Sequence, residues 1–117
     1  MTSGRLLIVD DDKVAMKNLE QAMKKEGYAV TATRSGSNAQ ALLEKQPFDV
    51  VLSALHMGRV DGLQLLKRCR ESHPDTEVIL AAGEASVESA VEAMKLGAFY
   101  FLAKPCRMEA VREAVAG

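Results

Sequence analysis

Asp10-Asp11-Asp12 are three carboxylates in a row, placed directly after the apolar run Arg5 to Val9. Close like charges repel by about 1–3 kcal/mol per pair at an effective dielectric near 20. Such a cluster is best accommodated where a divalent cation or a lysine neutralises it, and oxygen-only ligands favour magnesium or a similarly hard ion. A lysine is on hand near the other end of the chain, where Lys104-Pro105 follows the apolar run Phe99 to Leu102. A proline after a strand-end lysine is able to fix a cis bond that aims the ammonium inward. Asp12 also suits the N-cap of a helix starting at Lys13. The reading is therefore a metal role for Asp10 and Asp11 and a cap for Asp12.

These residues need elements to position them. Five apolar runs, Arg5 to Val9, Tyr28 to Thr33, Asp49 to Ser53, Glu77 to Ala81 and Phe99 to Leu102, alternate with five amphipathic stretches. The near-continuous Leu, Ile and Val content suits parallel strands covered on both faces. Helical stripes fall on Ala15, Leu19, Ala22 and Met23; on Leu63, Leu66 and Cys69; on Val87, Ala90, Val91 and Met94; and on Met108, Val111 and Val115. Gly27 and Gly97 follow lysine-bearing turns and mark helix C-termini, Asp61-Gly62 and Ser86 mark starts, and His73-Pro74 closes the third helix. Strict alternation predicts an α/β, doubly wound, five-stranded parallel sheet with strand order 2-1-3-4-5, a flavodoxin-like three-layer sandwich. In that fold, ligands sit beyond the carboxyl ends of the strands, where Asp10, Ser53-Ala54, Ala82-Gly83 and Lys104 would gather.

The chain has 117 residues, 48% of them hydrophobic, and a net charge of −1. That fits one domain over residues 1–117, and the fifth amphipathic pattern still running at Ala116-Gly117 suggests a piece of a longer protein. With no basic tract, nucleic-acid binding by this segment is not expected. No apolar run approaches the roughly 20 residues of a membrane span. Cys69 and Cys106 have no partner at metal-ligand spacing and read as free thiols, so a cytoplasmic location is expected.

Taken together, Leu7-Ile8-Val9-Asp10-Asp11-Asp12, Asp49 to Ser53, His56-Met57 with Asp61-Gly62-Leu63, and Gly97-Ala98 leading to Lys104-Pro105 resemble a response-regulator receiver domain. The likeness covers essentially the whole chain and is nearest to the receivers of enhancer-binding transcriptional activators. It implies a non-enzymatic module of a two-component phosphorelay, in which a histidine kinase donates a phosphoryl group to an aspartate ending strand three. It implies Mg2+ held by Asp10, Asp11 and the backbone carbonyl of His56, with Lys104 pairing the phosphate and Phe101 as the aromatic switch. It further implies partner contacts, with a histidine kinase, an output domain or a second copy in a homodimer, through the face of helix 4, strand 5 and helix 5.

The departures from that pattern bear on function. Ala54 occupies the phosphoacceptor position, and a methyl group accepts no phosphoryl group. Ala82 stands where the family has a serine or threonine, and Gly58 replaces the usual proline, which should loosen that loop. A pseudo-receiver and a deliberately phosphorylation-dead variant both fit. Either way the module is expected to take no phosphate, to hold Mg2+ weakly if at all, and to act through protein contacts.

Two other classes share parts of this pattern. A strand followed by Asp10-Asp11-Asp12 also resembles the opening of haloacid-dehalogenase-type phosphatases, with Asp10 as nucleophile and Asp12 as acid/base. Those enzymes also need a late acidic pair for magnesium, and no Gly-Asp with a further aspartate follows the fourth strand. A flavin or nucleotide module needs glycine and backbone N–H groups after strand one, where three aspartates would repel phosphate.

Overall fold

The computed structural model describes residues 4–83, 87–104 and 107–116. Strands β1 (Arg5–Val9), β2 (Ala29–Thr33), β3 (Val50–Ala54), β4 (Glu77–Ala82) and β5 (Tyr100–Ala103) alternate with helices α1 (Lys13–Lys25), α2 (Gly36–Lys45), α3 (Gly62–Ser72), α4 (Val87–Lys95) and α5 (Met108–Ala116). All pairings are parallel, in the order β2-β1-β3-β4-β5. This is the predicted flavodoxin-like sheet. Its central strands bury both faces, because each crossover helix covers one of them.

Period-two alternation in the strands divides the core. Leu7, Val9, Val51 and Leu80 face α2, α3 and α4, where Ala39, Leu43, Leu66 and Ala93 meet them. Leu6, Ile8, Leu52 and Ile79 face α1 and α5, against Met23, Val111 and Val115. Local chemistry ends the helices as anticipated. Gly27 and Gly97 carry φ of 100° and 99°, the left-handed turn that an L side chain resists. Asp61 caps α3 in a reciprocal box with Gln64, and His73 closes it. Ser86 and Pro105, singled out as a helix start and a cis-bond candidate, lie outside the described residues.

The structure departs from the sequence reading in the strand bounds, with β2, β3 and β5 also starting one residue later than their apolar runs, and in the face of one helical stripe. Strands β3, β4 and β5 run one residue further than the apolar runs, so Ala54, Ala82 and Ala103 belong to the sheet. The stripe on α4 faces differently from a core stripe. Ala93 is fully buried, while Val91 and Met94 are 45% and 48% exposed. A helix that docks through alanine approaches the sheet closely and leaves its larger side chains on the outer surface. Of the stripe in α1, Leu19, Ala22 and Met23 do face the core, while Ala15 lines the cleft at the sheet edge.

Candidate functional site

The carboxyl ends of β1, β3, β4 and β5 bring Asp10, Ala54, Ala82 and Lys104 to one edge of the sheet. The β1–α1 loop is fixed by its backbone: the Asp10 amide donates to the Thr33 carbonyl (3.1 Å), tying it to β2. Asp10 is 2% exposed. Its Oδ1 accepts the Asp12 amide at 3.0 Å, and its Oδ2 accepts the Lys104 ammonium at 2.7 Å. Lys104 is held in turn by its own amide, which donates to the Ala82 carbonyl at 2.9 Å. The ion pair thus links residues 94 positions apart in the chain, as the charge argument anticipated.

The three aspartates diverge. Asp12 caps α1, its Oδ1 accepting the amides of Val14 (3.0 Å) and Ala15 (3.2 Å). Asp11 is exposed, and its backbone carbonyl accepts Nε of Arg34 at 3.1 Å. Arg34 was not singled out in the sequence, since a backbone carbonyl as acceptor leaves no trace there. Thr33 is a second such residue, its hydroxyl accepting from the Ser35 amide and the Asn38 side chain. Among the described residues, no three His, Cys, Asp or Glu side chains converge on a point that could hold a metal ion.

Ala54 is buried, 5% exposed, and with Asp10, Lys104, Leu19, Leu52 and Val111 it borders a cavity of about 10 Å³. That is room for one water at most. The neighbouring Ser53 hydroxyl is occupied by the Ala54 carbonyl at 2.9 Å. Behind Ala54 the chain turns tightly: the Leu55 amide donates to the Ala81 carbonyl (2.7 Å) and the Gly62 amide to the Leu55 carbonyl (3.0 Å). A Cβ on Gly62 would lie 2.5 Å from the Ala54 carbonyl oxygen, so α3 starts this close to β3 only because the residue is glycine. His56 is exposed on the loop between them. At Gly58 a Cβ would meet nothing within 4 Å, so space does not require a glycine there.

Ala82 is buried in the core cluster facing α2, α3 and α4, and half-buried Phe101 packs against that cluster. Above the ion pair, a cleft of about 500 Å³ opens between α1 and α5, lined by Asp12, Asn18, Leu19, Gly83 and Met108 as well as the pair itself. Cys69 on α3 is fully buried, and burial pushes its thiol up to about 11. Cys106 lies outside the described residues.

Comparison with known proteins places this arrangement. The family model of the response regulator receiver domain matches residues 6–116. The alginate biosynthesis transcriptional regulatory protein AlgB of Pseudomonas aeruginosa is 35% identical over 97% of this chain and 25% of its own length. The transcriptional regulatory protein GlrR of Escherichia coli is 36% identical over 96% and 25%. The chain therefore spans about a quarter of the length of these relatives. Among solved structures, the beryllofluoride-activated NtrC4 receiver domain dimer superposes with a TM-score of 0.91 at 30% identity, covering 99% of this chain and 94% of that one. The signal receiver domain of a Luxo repressor protein from Vibrio parahaemolyticus does so with a TM-score of 0.91 at 26% identity, over 97% and 88%. Receiver domains typically hold Mg2+ at an acidic pocket like the one around Asp10. With its sheet order, its acid-lysine edge and a family match over nearly its whole length, this chain belongs to the response-regulator receiver domains of two-component signalling.

Proposed function

We propose that this domain is a receiver that no longer accepts phosphate and that works by presenting a fixed surface to other proteins. The observation that carries the reading is Ala54. It ends β3 beside the Asp10–Lys104 pair, with a methyl group where phosphoryl transfer requires a carboxylate oxygen. The carboxylates nearest in sequence have other engagements: Asp49 accepts the Arg5 amide at the far end of β3, and Asp61 caps α3. Ser53 points its hydroxyl at a main-chain carbonyl.

The donor set does not fit magnesium well. Both Asp10 oxygens and one Asp12 oxygen already accept hydrogen bonds, position 54 offers no oxygen, and magnesium gives up its waters reluctantly. We infer weak or absent Mg2+ binding, with the exposed Asp11 and the His56 carbonyl as the oxygens left to it. Ala82 supplies no hydroxyl to couple a phosphoryl group to Phe101, so the family's switch has lost both its trigger and its relay.

The surface assigned to partners is that of α4, β5 and α5. Val91 and Met94 are exposed on α4, and Phe99 and Tyr100 at β5. A kinase, an output domain or a second copy would cover them; the NtrC4 receiver, a dimer, offers a related case. A cytoplasmic, non-enzymatic module is the setting in which such contacts operate, and no described helix is long and apolar enough to cross a membrane. The phosphatase alternative, with Asp10 as nucleophile and Asp12 as acid/base, loses support from the geometry, since Asp10 is buried under Lys104 and Asp12 serves α1.

Beryllofluoride, a mimic of the aspartyl phosphate, tests the reading. Fluorine NMR of the unaltered chain with beryllofluoride and magnesium should give only the free species. A bound species at one per chain would overturn it.

A further inference from the structure

We propose that the Lys104 ammonium has taken over the work of a divalent cation in this chain, closing the acid pocket as an internally neutralised, metal-independent site. The inference rests on the reading of Ala54 as a lost carboxylate, and extends it to what the remaining charges do. Asp10 is held to a single orientation from three sides: its amide by Thr33, its Oδ1 by the Asp12 amide, its Oδ2 by Lys104. Buried to this extent, a carboxylate requires a partner. Lys104 is also the better part desolvated, with its side chain 27% exposed. With a methyl group at position 54 and Asp12 turned to the α1 amides, no other described side chain hydrogen-bonds either charge. One anion meets one cation at 2.7 Å, over a cavity too small for more than one water.

An entering divalent ion would have to take Asp10 Oδ2 from Lys104 and leave that ammonium facing a second positive charge without a counter-ion. The buried Asp10 carboxylate is thus already neutralised. Lys104, acting together with the missing oxygen at position 54, sets the pocket's resistance to metal.

The test uses Mn2+ as the probe, read by paramagnetic broadening of the amides of residues 10–12. In the unaltered chain these amides should respond to Mn2+ no more than other exposed acidic sites. In Lys104→Met they should broaden selectively, with at least tenfold tighter apparent binding, and Mg2+ should raise the thermal midpoint of that variant while leaving the unaltered chain unmoved. Equal Mn2+ response in the two proteins would overturn the proposal. Should Lys104→Met fail to fold, the unaltered chain still decides the matter. The Lys104 ammonium should give a resolved, slowly exchanging nitrogen-detected signal that millimolar Mg2+ does not shift, whereas loss or displacement of that signal by Mg2+ would refute it. Phosphate uptake by the unaltered chain would instead defeat the reading of Ala54, so the two failures are distinguishable.

Discussion

Putting an aspartate at position 54 would test the electrostatics of the pocket quantitatively. Ala54 is 5% exposed and borders the same small cavity as Asp10 and Lys104. In Ala54→Asp the pocket would hold two carboxylates and one ammonium. At about 5 Å and an effective dielectric near 20, the new carboxylate would repel Asp10 by roughly 3 kcal/mol. Attraction to Lys104, now shared between two anions, offsets part of this. The expected net loss is about 1–3 kcal/mol at pH 7 without metal, or a urea midpoint lower by about 1 M for a slope of 1–3 kcal/mol/M. The sign with pH follows from linkage. A carboxyl group raised in the folded state by a neighbouring anion destabilises once it is ionised, so the deficit should shrink as pH falls through the carboxylate range. Mg2+ should recover part of it at neutral pH, by binding the folded form alone. Equilibrium urea unfolding of both proteins at pH 7 and pH 5, in chelator and in Mg2+, reads all of this. Coincident midpoints at pH 7 in chelator, or a deficit that ignores pH, would show that position 54 and Asp10 are not electrostatic neighbours.

Three further outcomes follow from named contacts. In a Cys106→Ser background, Cys69 should resist thiol reagents at pH 8, because burial holds its thiol near 11. Since that value lies above the ordinary thiol value of 9.0, stability should be full below about pH 9 and decline as pH rises through 11, by up to about 3 kcal/mol; flat urea midpoints from pH 8 to 10.5 would contradict it. Gly62→Ala, whose Cβ would lie 2.5 Å from the Ala54 carbonyl and 3.0 Å from the Leu55 Cα, should cost about 2–3 kcal/mol in urea unfolding, while Gly58→Ala, in open space, should stay within about 0.5 kcal/mol. Val91→Glu with Met94→Glu should leave stability nearly unchanged, since both side chains are exposed, yet abolish self-association or partner binding measured by sedimentation; a large stability loss would mean that they face the core.

The sheet was legible because β1, β3 and β4 carry short runs of Leu, Ile and Val and because Gly27 and Gly97 mark turns that only glycine enters easily. The Asp10–Lys104 pair was legible for a different reason: three adjacent carboxylates demand a cation, and Lys104 lies at a matching strand end. Other features were hidden. A helical stripe in α4 announces an apolar face without saying which way it points, and docking through Ala93 turned Val91 and Met94 outward. Three aspartates in sequence look like one cluster, yet main-chain hydrogen bonding sends Asp10 inward and Asp12 to the α1 amides, leaving Asp11 in solvent. Arg34 reaches a backbone carbonyl, an acceptor that every residue carries and that no side-chain pattern can reveal.

The most direct test of the account is phosphoryl transfer itself. The unaltered chain and Ala54→Asp would be incubated side by side with acetyl phosphate, or with a phosphorylated histidine kinase, in Mg2+, and their intact masses compared. The account predicts that the unaltered chain keeps its mass throughout, whatever the donor, because Ala54 presents a methyl group at the strand end where an oxygen must attack. Gain of one phosphoryl mass by most of the unaltered chain, reversed by hydroxylamine as an acyl phosphate would be, would place an accepting carboxylate elsewhere in the pocket and contradict it.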